Sequence, residues 1–170
     1  MGQPARRALG QILLESGVLD PGDLVRALAM QGRETARLGD ILVSNGMVSR
    51  AHLMAALSLQ WSAQVIDPGR DKPDPRLIDR LGAAACLRGA VLPWRQVGGA
   101  TVIATSHPED FEPRRVMLTE TFGPVVMALI AEPDLRNAVL GARRSVLKDY
   151  DEQAVFGRMR ALFDRLAGAR

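Results

Sequence analysis

Residues 8–31 read ALGQILLESGVLDPGDLVRALAMQ, and residues 37–60 read RLGDILVSNGMVSRAHLMAALSLQ. At an offset of 29, Leu9, Gly10, Ile12, Leu13, Gly17, Leu24, Ala27, Leu28 and Gln31 fall on Leu38, Gly39, Ile41, Leu42, Gly46, Leu53, Ala56, Leu57 and Gln60. These are nine identities in twenty-four ungapped positions, with Leu14/Val43, Val18/Met47 and Leu19/Val48 conservative beside them. Residues 8–60 are therefore one unit written twice.

Each copy reads as helix, turn, helix. Leu9, Ile12 and Leu13 recur at spacings of three and four, which gives one apolar helix face. Gly17 and Gly46 follow the last periodic residue, where glycine tolerates the left-handed conformation that ends a helix. Asp20 before Pro21, and Ser49 in the second copy, are the expected N-caps of the second helix, and Asp23 suits its first turn. Leu24 with Leu28, and Leu53 with Leu57, are the expected apolar stripe of that helix. Packing two hairpins explains the apolar positions. It does not explain Gln31 and Gln60, whose amides donate and accept at once, nor the Leu-Gly opening of both copies.

At these residues the chain resembles the MshEN-type domains, the N-terminal (GspE-type) domains of type II secretion and type IV pilus assembly ATPases. They also precede some bacterial glycosyltransferases and regulators. The motif is Arg-Leu-Gly, paired aliphatics, Gly, two more aliphatics, then Leu, Leu and Gln at fixed spacing. Arg37-Leu38-Gly39 through Gln60 matches it throughout; the first copy matches from Leu9 to Gln31 but has Ala8 where the motif has Arg. The resemblance implies binding of cyclic di-GMP, each motif gripping one half of a two-fold symmetric ligand. It assigns Arg37, Leu38, Gly39, Leu42, Val43, Gly46, Met47, Val48, Leu53, Leu57 and Gln60 to one half-site. Leu9, Gly10, Leu13, Leu14, Gly17, Val18, Leu19, Leu24, Leu28 and Gln31 fall to the other, with Arg7 or Arg6 just upstream in reach of the place Ala8 leaves empty. Arginine can fork to guanine O6/N7 or to phosphate, glycines let backbone amides approach phosphate, and aliphatics face base and ribose.

Gly69 to Pro75 is a polar, proline-containing linker and marks the main boundary. Gln64–Asp67 reads as a short strand before it. After it, the pattern predicts a helix over Pro75–Leu87, a hairpin with Gly98-Gly99 at its turn, a helix over Pro108–Phe122, a strand over Pro124–Ala131 and a helix over Pro133–Val146. The resemblance extends over this succession, though its motifs are less specific than the repeat. Ser106-His107-Pro108-Glu109-Asp110 invites a catalytic reading, but a serine cap with first-turn acids accounts for it more economically. His52 sits at a spacer position as a solvated helix residue, and Trp94 reads as a half-buried strand aromatic. Val155, Phe156, Met159, Leu162, Phe163 and Leu166 share one face of an amphipathic tail.

Bulk properties exclude several function classes. With 170 residues, 47% apolar and 24% charged, the composition is that of a folded protein, and 4% aromatics leave the core to Leu, Val, Ile, Ala and Met. The net charge of +3 comes mostly from dispersed arginines, Lys72 and Lys148 being the lysines, so nothing resembles a nucleic-acid-binding tail. Cys86 lies in an apolar run and reads as a buried thiol; two histidines and one cysteine at unrelated spacings suggest no metal site. No segment has the length of apolar chain that spans a bilayer, and no signal peptide or P-loop is visible.

The expectation is an α+β protein: tandem helical hairpins over 1–68, a small α+β module over 69–146 and a C-terminal amphipathic helix over 147–170. The expected function is a stand-alone, non-enzymatic, cytoplasmic cyclic di-GMP receptor acting on a protein partner of a secretion, pilus or glycosyltransferase system, with no cofactor. The alternative is a protein-docking module of such a system that does not bind nucleotide.

Overall fold

The computed structural model describes residues 6–33 and 35–142, so the tail at 147–170 lies outside the described residues. The first copy forms α1 (Leu9–Glu15) and α2 (Pro21–Gln31), the second α3 (Leu38–Ser44) and α4 (Arg50–Trp61). Both hairpins turn by the same hydrogen bonds. Val18 N–H donates to the Leu13 carbonyl and Gly17 N–H to that of Leu14; Met47 and Gly46 do the same to Leu42 and Val43. This pattern ends a helix with a left-handed residue, and Gly17 and Gly46 carry φ of 68° and 67°. Asp20 accepts from Gly22 N–H and Ser49 from His52 N–H, as caps should.

The hairpins cannot bury their faces separately and share one core. Its buried members are Ile12, Leu13, Leu19 and Ala27 with Ile41, Leu42, Val48 and Ala56, four pairs at the repeat offset. α1 packs on α4 and α2 on α3, so each copy leans on the other. The stripe expected at Leu24 and Leu28 is shifted: the buried residues of α2 and α4 are Ala27 and Ala56, while Leu28 is 48% exposed. Small alanines let the helices approach closely. Gly10 and Gly39 act likewise, since a Cβ there would meet the Leu24 methyl at 2.8 Å or the Leu53 methyl at 3.1 Å.

The second unit is a three-layer α+β module. The helix expected over Pro75–Leu87 is broken at Gly82, φ 87°, into α5 (Pro75–Leu81) and α6 (Ala83–Gly89). β1 (Val91–Val97) and β2 (Ala100–Thr105) form the expected antiparallel hairpin on Gly98-Gly99, both at positive φ. A 3-10 turn (Pro108–Asp110) and α7 (Phe111–Phe122) cross over to β3 (Val125–Leu129), which pairs parallel with β2, giving strand order β1-β2-β3. α8 covers residues 132–142. Alternate strand residues feed two cores. Leu92 and Ala104 join Ile78, Cys86, Leu135 and Val139, whereas Val91 and Ile103 join Phe111, Leu118 and Phe122. Trp94 sits at the register shift of β1 and is 2% exposed, more buried than its sequence context suggested. The expected strand at Gln64–Asp67 is a single bridge, Val65 to Leu129, on the free edge of β3.

Candidate functional site

Gln31 and Gln60, which recur at the repeat offset, share a geometry. Gln31 Nε2 donates to the Ala36 carbonyl at 3.4 Å, and Gln60 Nε2 donates to the Arg7 carbonyl at 2.8 Å. Ala36 and Arg7 are themselves a repeat offset apart, each just ahead of the Leu-Gly opening of the copy that the glutamine does not belong to. Sequence order groups Arg37 with Gln60; the exchanged packing brings Gln31 to the Arg37 end and Gln60 to the Ala8 end. Gln31 lies only five residues before Ala36, so its half of the exchange is local in sequence; the Gln60 half, across fifty-three residues, follows from α1 packing on α4.

The residues assigned by resemblance divide by exposure. Gly10, Leu13, Leu19, Leu42 and Val48 are buried and hold the frame. Leu9, Leu14, Val18, Leu24, Leu38, Gly39, Val43, Met47, Leu53, Leu57 and the two glutamines are half-buried, while Arg7, Gly17, Leu28, Arg37 and Gly46 are exposed. Open space surrounds the Cα of Gly17 and of Gly46, so their backbone is accessible, whereas Gly10 and Gly39 face leucine. Val43, Leu53 and Leu57 line a groove of about 510 Å³ against the module, with Arg50, His107 and Arg136 on its rim.

Arg37 is the polar centre of the second motif and is already engaged. Its guanidinium pairs with Glu109, and with Asp110 at 2.8 Å, both from the 3-10 turn of the module. The acids of the Ser106–Asp110 stretch thus serve Arg37. The serine does not cap a helix: Ser106 Oγ is buried without a hydrogen-bond partner among the described residues, and it is Thr105 that accepts from His107 N–H. At the other end Arg7 pairs with Glu15, and Arg6 lies over the Trp61 ring at 3.4 Å. The fork from Arg115 holds the Glu112 carboxyl below its ordinary value, with Arg6 adding a smaller attraction. Trp61 had no signal in the repeat, since it stands one residue past the motif.

Among the described residues no group of three or more His, Cys, Asp or Glu side chains is placed to hold a metal ion, and no helix is long and apolar enough to cross a membrane.

Comparison with known proteins fits this geometry. The structure of MshE with cdg is 30% identical, with a TM-score of 0.70 over 82% of this chain and 99% of that one. The chain belongs to the MshEN domain family. The sequence profile of the MshEN domain itself matches residues 61–143. Within this MshEN domain, that match runs from the end of α4 through the α+β module, so the segment with the less specific motifs carries a family signal of its own. The N-terminal domain of XpsE shares the fold at 17% identity, with a TM-score of 0.58 over 82% of this chain and 96% of that one. No curated protein matches.

Proposed function

We propose that this MshEN domain is a cyclic di-GMP receptor module that passes ligand occupancy to a protein partner of a secretion or pilus machine. The observation that carries this reading is the conjunction of two facts. The second motif is complete from Arg37-Leu38-Gly39 to Gln60, and the relative covered over 99% of its length was solved with cdg, that is, cyclic di-GMP. Two similar half-sites built on one shared core suit a ligand with two guanines and two phosphates. Arg37, Gln31 and Gln60 supply the polar contacts; Leu9, Leu14, Val18, Leu38, Val43 and Met47 offer apolar surface for base and ribose. Coupling follows from Arg37. A ligand that recruits its guanidinium draws it from Glu109 and Asp110, which loosens the contact between the hairpins and the turn leading into α7.

A second reading, protein docking without nucleotide, is favoured by Ala8, which removes a charged fork worth roughly 1.5–3 kcal/mol to an ionic partner. Calorimetric titration separates the two. Wild type binding cyclic di-GMP and Arg37→Ala losing at least about tenfold in affinity supports the receptor. Absence of heat with wild type at tens of micromolar leaves the docking reading.

A further inference from the structure

The two ends of the repeat differ in a complementary way. Around Gln31 stand Gly32, Thr35 and Arg37. At the repeat-related positions around Gln60 stand Trp61, Arg6 and Ala8. One end has lost an arginine and gained both an arginine and an aromatic ring. The gained pair is assembled: the Arg6 guanidinium lies over the Trp61 indole at 3.4 Å. Beside them is a groove of about 600 Å³, lined also by Arg7, Gln60, Glu112 and Arg115, a size that suits one end of a nucleotide ligand. The other arginines there are committed. Arg7 pairs with Glu15, and Arg115 forks to Glu112 at 2.9 and 2.7 Å. Among the described residues Arg6 makes no ion pair.

We propose that Arg6 and Trp61 form the nucleobase platform of the half-site at the Ala8 end and replace the arginine missing there. This rests on the receptor reading and deepens it. A flat guanidinium at van der Waals spacing occupies on the indole the place that a purine ring takes when it stacks. A guanine entering the groove displaces it, and the freed Arg6 forks to the base edge or the adjoining phosphate. Gln60, tied to the Arg7 carbonyl, fixes the segment from which Arg6 projects.

The test is titration of cyclic di-GMP by calorimetry and by intrinsic fluorescence. Trp94 is buried and does not line the groove, so a change in emission that Trp61→Phe abolishes reports Trp61. Wild type is expected to show quenching, and Arg6→Ala and Trp61→Ala to bind at least about tenfold more weakly. Ala8→Arg added to Arg6→Ala restores affinity. Should Trp61→Ala unfold, Arg6→Ala and the wild-type emission still decide. Binding that Arg37→Ala weakens but that Arg6→Ala leaves within about twofold, with no change in emission, overturns this inference and leaves the receptor reading standing. No binding by wild type overturns both.

Discussion

Replacing Glu109 with Gln and Asp110 with Asn should tighten ligand binding, against the usual effect of removing polar groups beside a site. Arg37 is shared between the ligand proposed here and two carboxylates that already hold it. The side chains are 42%, 44% and 40% exposed, so each pair belongs to the weak surface class of about 0.2–1 kcal/mol. Two such pairs oppose ligand capture of Arg37 by roughly 0.4–2 kcal/mol, or about two- to thirtyfold in affinity, and screening at physiological salt favours the lower part of that range. Asp110 precedes α7 without a side-chain cap bond, so Asp110→Asn removes no helix cap, though it also ends a 3.7 Å contact with Arg114. The assay is calorimetry with cyclic di-GMP on wild type and the double variant at two salt concentrations. The expected result is tighter binding by the variant and a smaller difference at high salt. Equal or weaker binding means that the carboxylates do not compete with the ligand for Arg37, and a loss of about tenfold means that they themselves accept from the guanine edge.

Gly46→Ala should lower stability by about 1–2 kcal/mol, because φ is 67° and nothing lies within 4 Å of the new Cβ, so the whole cost is backbone strain. Gly17→Ala should cost the same, and Gly46→Asn less; thermal unfolding followed by circular dichroism checks the three. Burial pushes the Cys86 thiol up to about 11 from 9.0. The folded protein then keeps a proton that the unfolded chain sheds, so this contribution is full below pH 9.0 and is lost as pH rises towards about 11. Chemical denaturation across that window, with thiol labelling at pH 8 slow in the native protein and fast in denaturant, measures it.

The repeat made the hairpins, their caps and their turns legible, because each depends on residues within a few positions of one another. Ile12, Leu13, Leu19 and Ala27 found their partners at the repeat offset, so the shared core was implicit in the alignment. What depended on distant packing was less visible. That Gln60 reaches the Ala8 end follows from α4 packing on α1, and that Ala27 is buried while Leu28 is exposed follows from α2 packing on α3. Gly82 broke a helix that its apolar spacing made continuous, through a φ of 87° that the pattern did not demand. Glu109 and Asp110 looked like local first-turn acids, yet their partner Arg37 lies more than seventy residues earlier. The Arg6–Trp61 stack joins residues that flank the repeat on either side in sequence and has no local signature at all.

Whether one ligand spans both ends of the duplicated unit is read from amide and side-chain NMR spectra titrated with cyclic di-GMP. A spanning ligand shifts the Gln31 and Gln60 side-chain amides and the Arg37 guanidinium together, with a smaller response at Glu109 and Asp110. Shifts confined to residues 75–142, or to one hairpin alone, rule out a spanning ligand.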